Sequence, residues 1–130
     1  MISAPFILAM GFAGARLDHG LAAFNTLIAH TNQRCILIGP KDICFAAPAR
    51  LTLDLHQGEP LSLFPMAPVK GESSGLEWPI LGLDFTPAGR IGTSNRVAAP
   101  RVELAFDRPG MLVILPRHRL DAAIRALQPA

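Results

Sequence analysis

Glycine and proline interrupt this chain at short intervals, and their spacing restricts the fold more than any other feature of the sequence. The 130 residues include 12 prolines and 11 glycines. From about Asp42 onward, these residues separate short apolar segments roughly every eight to twelve positions. A helical bundle needs longer uninterrupted segments, because proline and glycine are the least favourable residues inside a helix. The spacing therefore excludes a bundle and predicts many short strands joined by turns.

Before Asp42 the pattern differs and predicts a strand–helix–strand unit. Residues 5–10 and 35–39 are continuous apolar runs, as expected for strands that are covered on both faces. Between them, Asp18 can cap a helix that extends to His30 and carries its apolar residues on one face. Such a unit is normally one piece of a larger parallel sheet.

After about residue 48 the sequence predicts an antiparallel sandwich. Residues 51–55 and 102–106 alternate in hydrophobicity, as half-buried strands do. Further strands are predicted at residues 60–66, 75–80, 83–86 and 111–115, with a helix at Leu120–Leu127. We therefore expect an α+β fold in two parts. Residues 1–47 form the end of an α/β domain, and residues 48–130 form a β-sandwich with a short C-terminal helix.

Composition excludes several classes of protein. The formal net charge of +2 excludes a polybasic nucleic-acid binder, and a hydrophobic content of 50% excludes a disordered chain. No apolar run approaches the ~20 residues that span a bilayer. We expect neither nucleic acid nor membrane as a partner.

The cysteines and the N-terminal segment bear on metal binding and compartment. Cys35 and Cys44 cannot form a zinc site alone, and the four histidines are not at ligand spacing. No basic residue precedes Arg16, whereas a signal peptide begins with positive charge. We expect a cytoplasmic protein with two free thiols; a Cys35–Cys44 disulfide is the alternative.

Residues 71–75 match the Gly-x-Ser-x-Gly motif of serine hydrolases, and Asp84, Asp107 and His118 follow in the matching order. That motif requires a helix directly after the serine. Pro79 lies in a stretch with a strand pattern, so no helix can form there. The motif is interpreted as a turn between strands.

Three other groups of residues could carry chemistry. The glycine turn before the first helix presents backbone N–H groups to an anion, with Arg16 suited to phosphate and Asp18 to Mg²⁺; alternatively, Asp18 is only a helix cap that pairs with Arg16. Trp78, the single tryptophan, is either a core residue or a stacking surface at a cleft. Residues 92–95 are a polar cluster whose composition favours a plain turn.

Four short motifs occur in a fixed order: Gly11-x-x-Gly14-x-Arg16-x-Asp18-His19, Ser62-Leu-Phe-Pro65-Met, Gly75-Leu-x-Trp78-Pro79 and Gly92-Thr-Ser94-Asn95. Together, over residues 6–115, they resemble the C-terminal part of the thiamine pyrophosphokinase family. The resemblance implies an α/β domain that binds ATP and Mg²⁺ and a β-sandwich that binds thiamine. It also implies a homodimer with active sites between subunits. The implied reaction transfers diphosphate from ATP to the hydroxyethyl oxygen of thiamine and releases AMP.

By position, the resemblance implies a role for five residues. Arg16 and Asp18 would be catalytic, with Arg16 at the nucleotide phosphates and Asp18 on Mg²⁺. Trp78 would stack on the thiamine rings, and Ser94 and Asn95 would hydrogen-bond the aminopyrimidine edge.

The sequence also departs from the family pattern. Ala15 replaces the usual second glycine, and Arg96 replaces the acidic residue that often follows the Ser-Asn pair. The family's upstream acidic motifs, Asp-Gly-Gly, Gly-Asp-x-Asp-Ser and Asp-x-x-Thr-Asp, have no counterpart here. Because those carboxylates hold Mg²⁺ and ATP, we expect a C-terminal fragment that is inactive alone. The alternatives are a non-catalytic thiamine-binding module and a purely structural sandwich.

Overall fold

Short strands and tight turns make up most of this molecule, as the spacing of glycine and proline predicts. The computed structural model describes residues 7–10, 17–30 and 34–128. Their strands are β1 (Ile7–Met10), β2 (Cys35–Ile38), β3 (Asp42–Ala46), β4 (Arg50–Asp54), β5 (Pro60–Pro65), β6 (Val69–Ser74), β7 (Asp84–Phe85), β8 (Gly92–Arg96), β9 (Arg101–Phe106) and β10 (Met111–Pro116). The helices are α1 (Leu17–Ala29) and α2 (Leu120–Leu127), and a 3₁₀ turn at Arg117–Arg119 precedes α2.

The described strands form two sheets. One has six strands in the order β1-β2-β3-β10-β5-β8, and the other has four in the order β4-β9-β6-β7. Strands β1 and β2 are parallel and are joined through α1, which confirms the predicted strand–helix–strand unit. The remaining strand pairs in both sheets are antiparallel. The predicted α+β class, with a sandwich and a short C-terminal helix, is confirmed.

The six-stranded sheet packs against other elements on both of its faces. Its central strand β10 is accordingly apolar at nearly every position. Met111, Val113 and Leu115 face the main core between the two sheets. Leu112 and Ile114 belong to a smaller cluster with Leu27 and other apolar residues of α1. The strand therefore reads as a continuous apolar run, MLVILP, rather than an alternating one.

The larger sheet also crosses the predicted domain boundary at residue 47. Strands β2 and β3 precede this boundary, yet β3 pairs with β10 from the far end of the chain. Side chains of β2 and β3 fill the main core together with those of β4 and β9. The division into two domains stays a prediction, and the first 47 residues contribute directly to the sandwich.

Some apolar side chains that could promote self-association are already covered within the chain. Ile38 is buried in the main core, and Phe24 packs against the cluster under α1. Leu17 and Leu21 of α1 are instead highly exposed. The side chain of Ile7 lies outside the described residues.

Cys35 and Cys44 are free thiols, with Cys44 buried and Cys35 half-buried. Burial, with a further contribution from Asp42, raises the pKa of Cys44 to about 12. The thiol therefore stays protonated and packs as a small apolar side chain. Neither helix of the described chain is long and apolar enough to span a membrane.

A carboxylate joins the C-terminal region to the β4–β5 connection. Glu59 accepts hydrogen bonds from Arg119 Nε at 2.9 Å and from the His56 N–H at 2.7 Å. His118 Nε2 lies 2.8 Å from its Oε2. Burial would raise the pKa of Glu59, but the hydrogen bonds from His56, Arg119 and His118 together lower it to about 2. We call Glu59, His118 and Arg119 the Glu59 cluster.

Candidate functional site

An open cleft lies beside strand β8, between that strand and the segment that follows β6. Its volume is about 290 Å³. The side chains around it include one large aromatic ring, several aliphatic groups, one guanidinium and a polar edge. They are Trp78, Ile80, Leu83, Phe85, Arg90, Ile91, Gly92, Thr93, Ser94 and Asn95. The cleft thus brings together Trp78, Ser94 and Asn95, which the sequence predicted to act together.

Trp78 belongs to an irregular segment, residues 75–83, which we call the Trp78 loop. The prediction of a strand at residues 75–80 is wrong, and the strand lies earlier, at Val69–Ser74. Two residues account for the difference. Gly75 adopts a φ of 89°, and Pro79 has no N–H to donate to a ladder.

The side chains of the Trp78 loop point in different directions as a result. Leu76 and Ile80 are buried in the main core. The Trp78 side chain is 52% exposed, although strict alternation would have placed it on the same face as its two neighbours. The hypothesis that Trp78 is a core residue is therefore wrong, and its ring is available beside the cleft.

The side chain of Asn95 forms hydrogen bonds with the backbone of Trp78. Its Oδ1 accepts hydrogen bonds from the Trp78 N–H at 3.2 Å and from the Arg96 N–H at 2.8 Å. Its Nδ2 donates to the Trp78 carbonyl at 2.8 Å. Asn95 is only 8% exposed, and it is the one buried polar residue in the described part of the chain.

Other contacts fix the rest of the Trp78 loop. The Glu77 N–H donates to the Arg96 carbonyl at 2.8 Å, and the Ala98 N–H donates to the Gly75 carbonyl at 2.7 Å. The Ile80 N–H donates to Ser73 Oγ at 3.1 Å. Ser73 is the central serine of the Gly-x-Ser-x-Gly motif. Residues 71–74 of that motif lie in strand β6 and not in the predicted turn.

Residues 92–95 also form part of a strand, β8, and not the plain turn that composition favoured. The pairing of β8 with β5 shifts register between Leu61 and Leu63, which produces a bulge. Ser94 lies in this bulge with a φ of 64°, an uncommon conformation for a residue other than glycine. Its N–H donates to Ser62 Oγ at 2.9 Å. Backbone strain of this kind clusters at functional sites.

Arg90 is the one charged side chain among the described lining residues of the cleft, and no carboxylate is among those residues. Outside the lining, the Arg96 guanidinium carbon lies 5.8 Å from the centroid of the Trp78 ring, within the range of a cation–π contact. Arg96 Nη1 also lies 3.4 Å from Glu77 Oε2. One part of the Trp78 ring is therefore already engaged by a cation of the chain itself.

The sandwich segment that carries this cleft matches a known family. Residues 50–111 match the model described as "Thiamin pyrophosphokinase, vitamin B1 binding domain". The resemblance to thiamine pyrophosphokinases is confirmed. Thiamine pyrophosphokinase 1 of Oryza sativa subsp. japonica is 28% identical over 109 residues, with coverage of 78% of this chain and 41% of the relative. Thiamine pyrophosphokinase 1 of Arabidopsis thaliana is 27% identical over 108 residues, with coverage of 78% and 40%.

Solved structures of thiamine pyrophosphokinases share the fold. The enzyme from Candida albicans superposes with a TM-score of 0.76 at 16% identity, over 85% of this chain and 44% of the other. The enzyme from Geobacillus thermodenitrificans gives 0.75 at 17% identity, over 88% and 54%. This chain spans about two fifths of the length of the two plant relatives described here.

Of the two residues expected at the phosphate end of a thiamine pyrophosphokinase site, Asp18 is not among the described lining residues of the cleft, and Arg16 lies outside the described residues. Asp18 occupies the first turn of α1 and accepts a hydrogen bond from the His19 N–H at 2.9 Å. Within residues 7–10, 17–30 and 34–128, no group of three or more histidine, cysteine or acidic side chains could hold a metal. The described residues alone do not fit a Mg²⁺ site.

Sequence reasoning missed several residues of the cleft. Arg90 and Ile80 line it, but neither stood out from a motif. Ser62 belonged to a motif without an assigned role, and the structure shows that it binds the Ser94 backbone. The available signal was proximity in sequence, since Arg90 precedes the polar cluster and Ile80 follows Trp78 and Pro79. The folded cleft brings them together, which local sequence does not show.

Proposed function

We propose that this chain forms the thiamine-binding wall of a thiamine pyrophosphokinase. The proposal rests on one observation: a half-exposed tryptophan faces an open cleft with a fixed polar edge, inside the segment that matches the vitamin B1 binding domain. In the full reaction, diphosphate passes from ATP to the hydroxyethyl oxygen of thiamine, and AMP is released. We also propose a cytoplasmic homodimer.

The chemistry of the cleft suits an aminopyrimidine joined to a thiazolium. A flat indole gives stacking area for either ring, and such aromatic pairs contribute about 0.5–1.5 kcal/mol beyond their burial. The Ser94 hydroxyl can donate or accept at the pyrimidine edge. The Asn95 carboxamide has one N–H beyond the three hydrogen bonds given above, so it can offer the ligand a donor but not its oxygen.

ATP and Mg²⁺ belong to the proposed reaction as co-substrates. Diphosphate transfer depends mainly on positioning and charge neutralisation by metal ions and basic groups. Arg16 and Asp18 remain our candidates for this end of the site. Since the described residues do not form a metal site, we assign no step of the transfer to Arg16 or Asp18.

The alternative function is a non-catalytic thiamine-binding module. Such a module would retain Trp78, Ser94 and Asn95 in the cleft and would need no metal site. A third possibility, a purely structural sandwich, would need none of these residues.

Two measurements test the proposal. Calorimetry with thiamine should give saturable binding at one site per chain, and absence of binding at millimolar thiamine would contradict both binding functions. AMP release with ATP, Mg²⁺ and thiamine should be absent for this chain and present when an upstream catalytic half is supplied. Turnover by this chain alone would contradict the expectation that it is inactive alone. Binding without turnover under either condition would favour the non-catalytic module.

Light scattering tests the homodimer separately. A mass near twice 13.9 kDa is expected at high micromolar concentration. A stable monomer would contradict it without affecting the thiamine proposal.

A further inference from the structure

Trp78 lies in a segment that has no regular strand pairing, yet both of its backbone polar groups are satisfied. One side chain, Asn95, accepts from its N–H and donates to its carbonyl. A neighbouring peptide group does the same in a β-ladder, where one residue exchanges two hydrogen bonds with another. The carboxamide therefore takes the place of a missing strand partner.

We propose that Asn95 is a positioning residue whose main role is to fix Trp78 as a stacking surface, and that direct contact with the ligand is secondary. This inference deepens the proposed function and rests on it where ligand binding is concerned. It differs from the expectation drawn from the family resemblance, in which Asn95 was assigned to the aminopyrimidine edge.

The hydrogen-bonding capacity of the side chain supports this role. A carboxamide has two acceptor sites and two N–H donors. In this structure both acceptor sites and one donor are used, on the backbone of Trp78 and Arg96. The side chain is also nearly buried, so each of these bonds would leave an unsatisfied group if it were broken. Such a group costs more than the net value of an exposed hydrogen bond.

The side-chain identity follows from the same geometry. Serine has a single polar atom and cannot span both backbone groups of Trp78. Aspartate keeps the two accepted hydrogen bonds but loses the donor to the Trp78 carbonyl, and it brings a carboxylate oxygen close to that carbonyl. Among residues of this length, only asparagine combines the donor with the acceptor.

Positioning matters because a free aromatic ring on an irregular segment would have to be ordered when a ligand binds. Ordering a side chain or loop at an interface costs binding free energy, and a surface fixed in advance avoids that cost. Asn95 therefore raises affinity without touching the ligand. The Glu77–Arg96 backbone hydrogen bond supports the same placement.

The test uses the single tryptophan as its own reporter. Acrylamide quenching of Trp78 fluorescence is measured on the ligand-free chain for the unmodified protein and for Asn95→Ala, Asn95→Asp and Asp107→Ala. Asp107 accepts a hydrogen bond from the Lys70 N–H and does not line the cleft, so it controls for loss of an ordinary side-chain-to-backbone bond. Quenching should rise in both Asn95 variants and stay unchanged in the Asp107 variant. Unchanged quenching in folded Asn95 variants would overturn the proposal.

A double-mutant cycle separates positioning from direct contact. Thiamine affinity is measured for Asn95→Ala, Trp78→Ala and the double variant. If Asn95 acts through Trp78, its substitution weakens binding about tenfold in the unmodified chain and has little further effect once Trp78 is removed. Two losses that multiply would indicate direct contact between Asn95 and the ligand, and would overturn the proposal.

Two further outcomes keep the test decisive. If Asn95→Ala does not fold, as judged by circular dichroism, the same cycle is run with Asn95→Asp, which retains two of the three hydrogen bonds. If the unmodified chain does not bind thiamine, the proposed function fails. The quenching comparison still decides whether Asn95 fixes Trp78.

Discussion

Asn95 and Glu59 are both polar residues with little exposure, and both bind backbone N–H groups, but different surfaces lie beside them. The Glu59 side chain is 15% exposed and engages Arg119, His118 and the His56 backbone, all within the chain. Asn95 instead holds a half-exposed tryptophan next to an open cleft.

The difference separates two uses of a polar group with little exposure. The Glu59 cluster joins the segment before α2 to the β4–β5 connection, and its charges are neutralised by its own partners. The Asn95 contacts satisfy a loop backbone next to a half-exposed aromatic ring that lines the cleft. A perturbed pKa identifies the first region, whereas the exposed ring and strained Ser94 identify the second. A perturbed pKa can therefore mark a structural cluster as well as a functional site, and the geometry around the group distinguishes the two.

The largest effect is expected from Gly75, where the Trp78 loop begins. Gly75→Ala forces a side chain onto a φ of 89° and into the carbonyl oxygen of Arg101, which should lower the free energy of unfolding by about 3 kcal/mol. Gly58 also has a positive φ but has open space around it, so Gly58→Ala should cost about 1 kcal/mol. Chemical denaturation measures both. Equal losses would show that strain in φ, and not the close approach to β9, fixes this end of the loop.

The Glu59 cluster should contribute stability that depends on pH. The pKa of Glu59 in the folded protein, about 2, lies below the ordinary 4.5. The contribution of Glu59 to the free energy of unfolding is therefore complete above pH 4.5, declines as the pH falls toward 2 and is lost below pH 2. Glu59→Gln should lower the free energy of unfolding at pH 7 by about 2 kcal/mol and flatten this acid dependence. The same variant should leave Trp78 quenching unchanged. A shift in Trp78 quenching would contradict the independence of the two regions.

Trp78→Ala should weaken thiamine binding about tenfold, because the variant removes the stacking surface of the cleft. Folding stability should change by less than about 1 kcal/mol, since half of the side chain is exposed. Leu81→Ala is the matched control, because Leu81 is highly exposed in the same loop but does not line the cleft. Calorimetry compares the two variants, and an equal loss of affinity from Leu81→Ala would contradict the assignment of the stacking surface.

The smallest effect is expected at Arg96. Its guanidinium engages the Trp78 ring, so it should oppose a second cation on the same ring. Arg96→Gln should therefore strengthen binding of the cationic thiamine by roughly two- to fivefold, equivalent to about 0.5–1 kcal/mol. Arg125→Gln makes the same charge change on α2 and should have no effect. Weaker binding in the Arg96 variant would show that Arg96 orients the ring more than it repels the ligand.

The local pattern predicted much of the fold. The helix at Leu120–Leu127 has the predicted bounds, and strands β4 and β9 alternate in burial as their residues alternate in hydrophobicity. Predictions failed where the pattern was not local. Residues 75–80 carry apolar side chains at alternate positions, but Gly75 and Pro79 prevent a ladder there. Residues 92–95 look like a turn, but pairing with β5 makes them a strand.

The sequence by itself determined the α+β class, the short strands and the residue types that could form a site. Periodicity, turn residues and motifs are local properties, and a single chain displays them directly. Tertiary structure decided which residues meet. The bulge at Ser94 and the two hydrogen bonds between Asn95 and Trp78 depend on contacts between residues 17 or more positions apart, and Arg90 and Ile80 meet Trp78 only in the folded cleft. Those contacts are set by the burial of the whole core, which no short segment specifies alone.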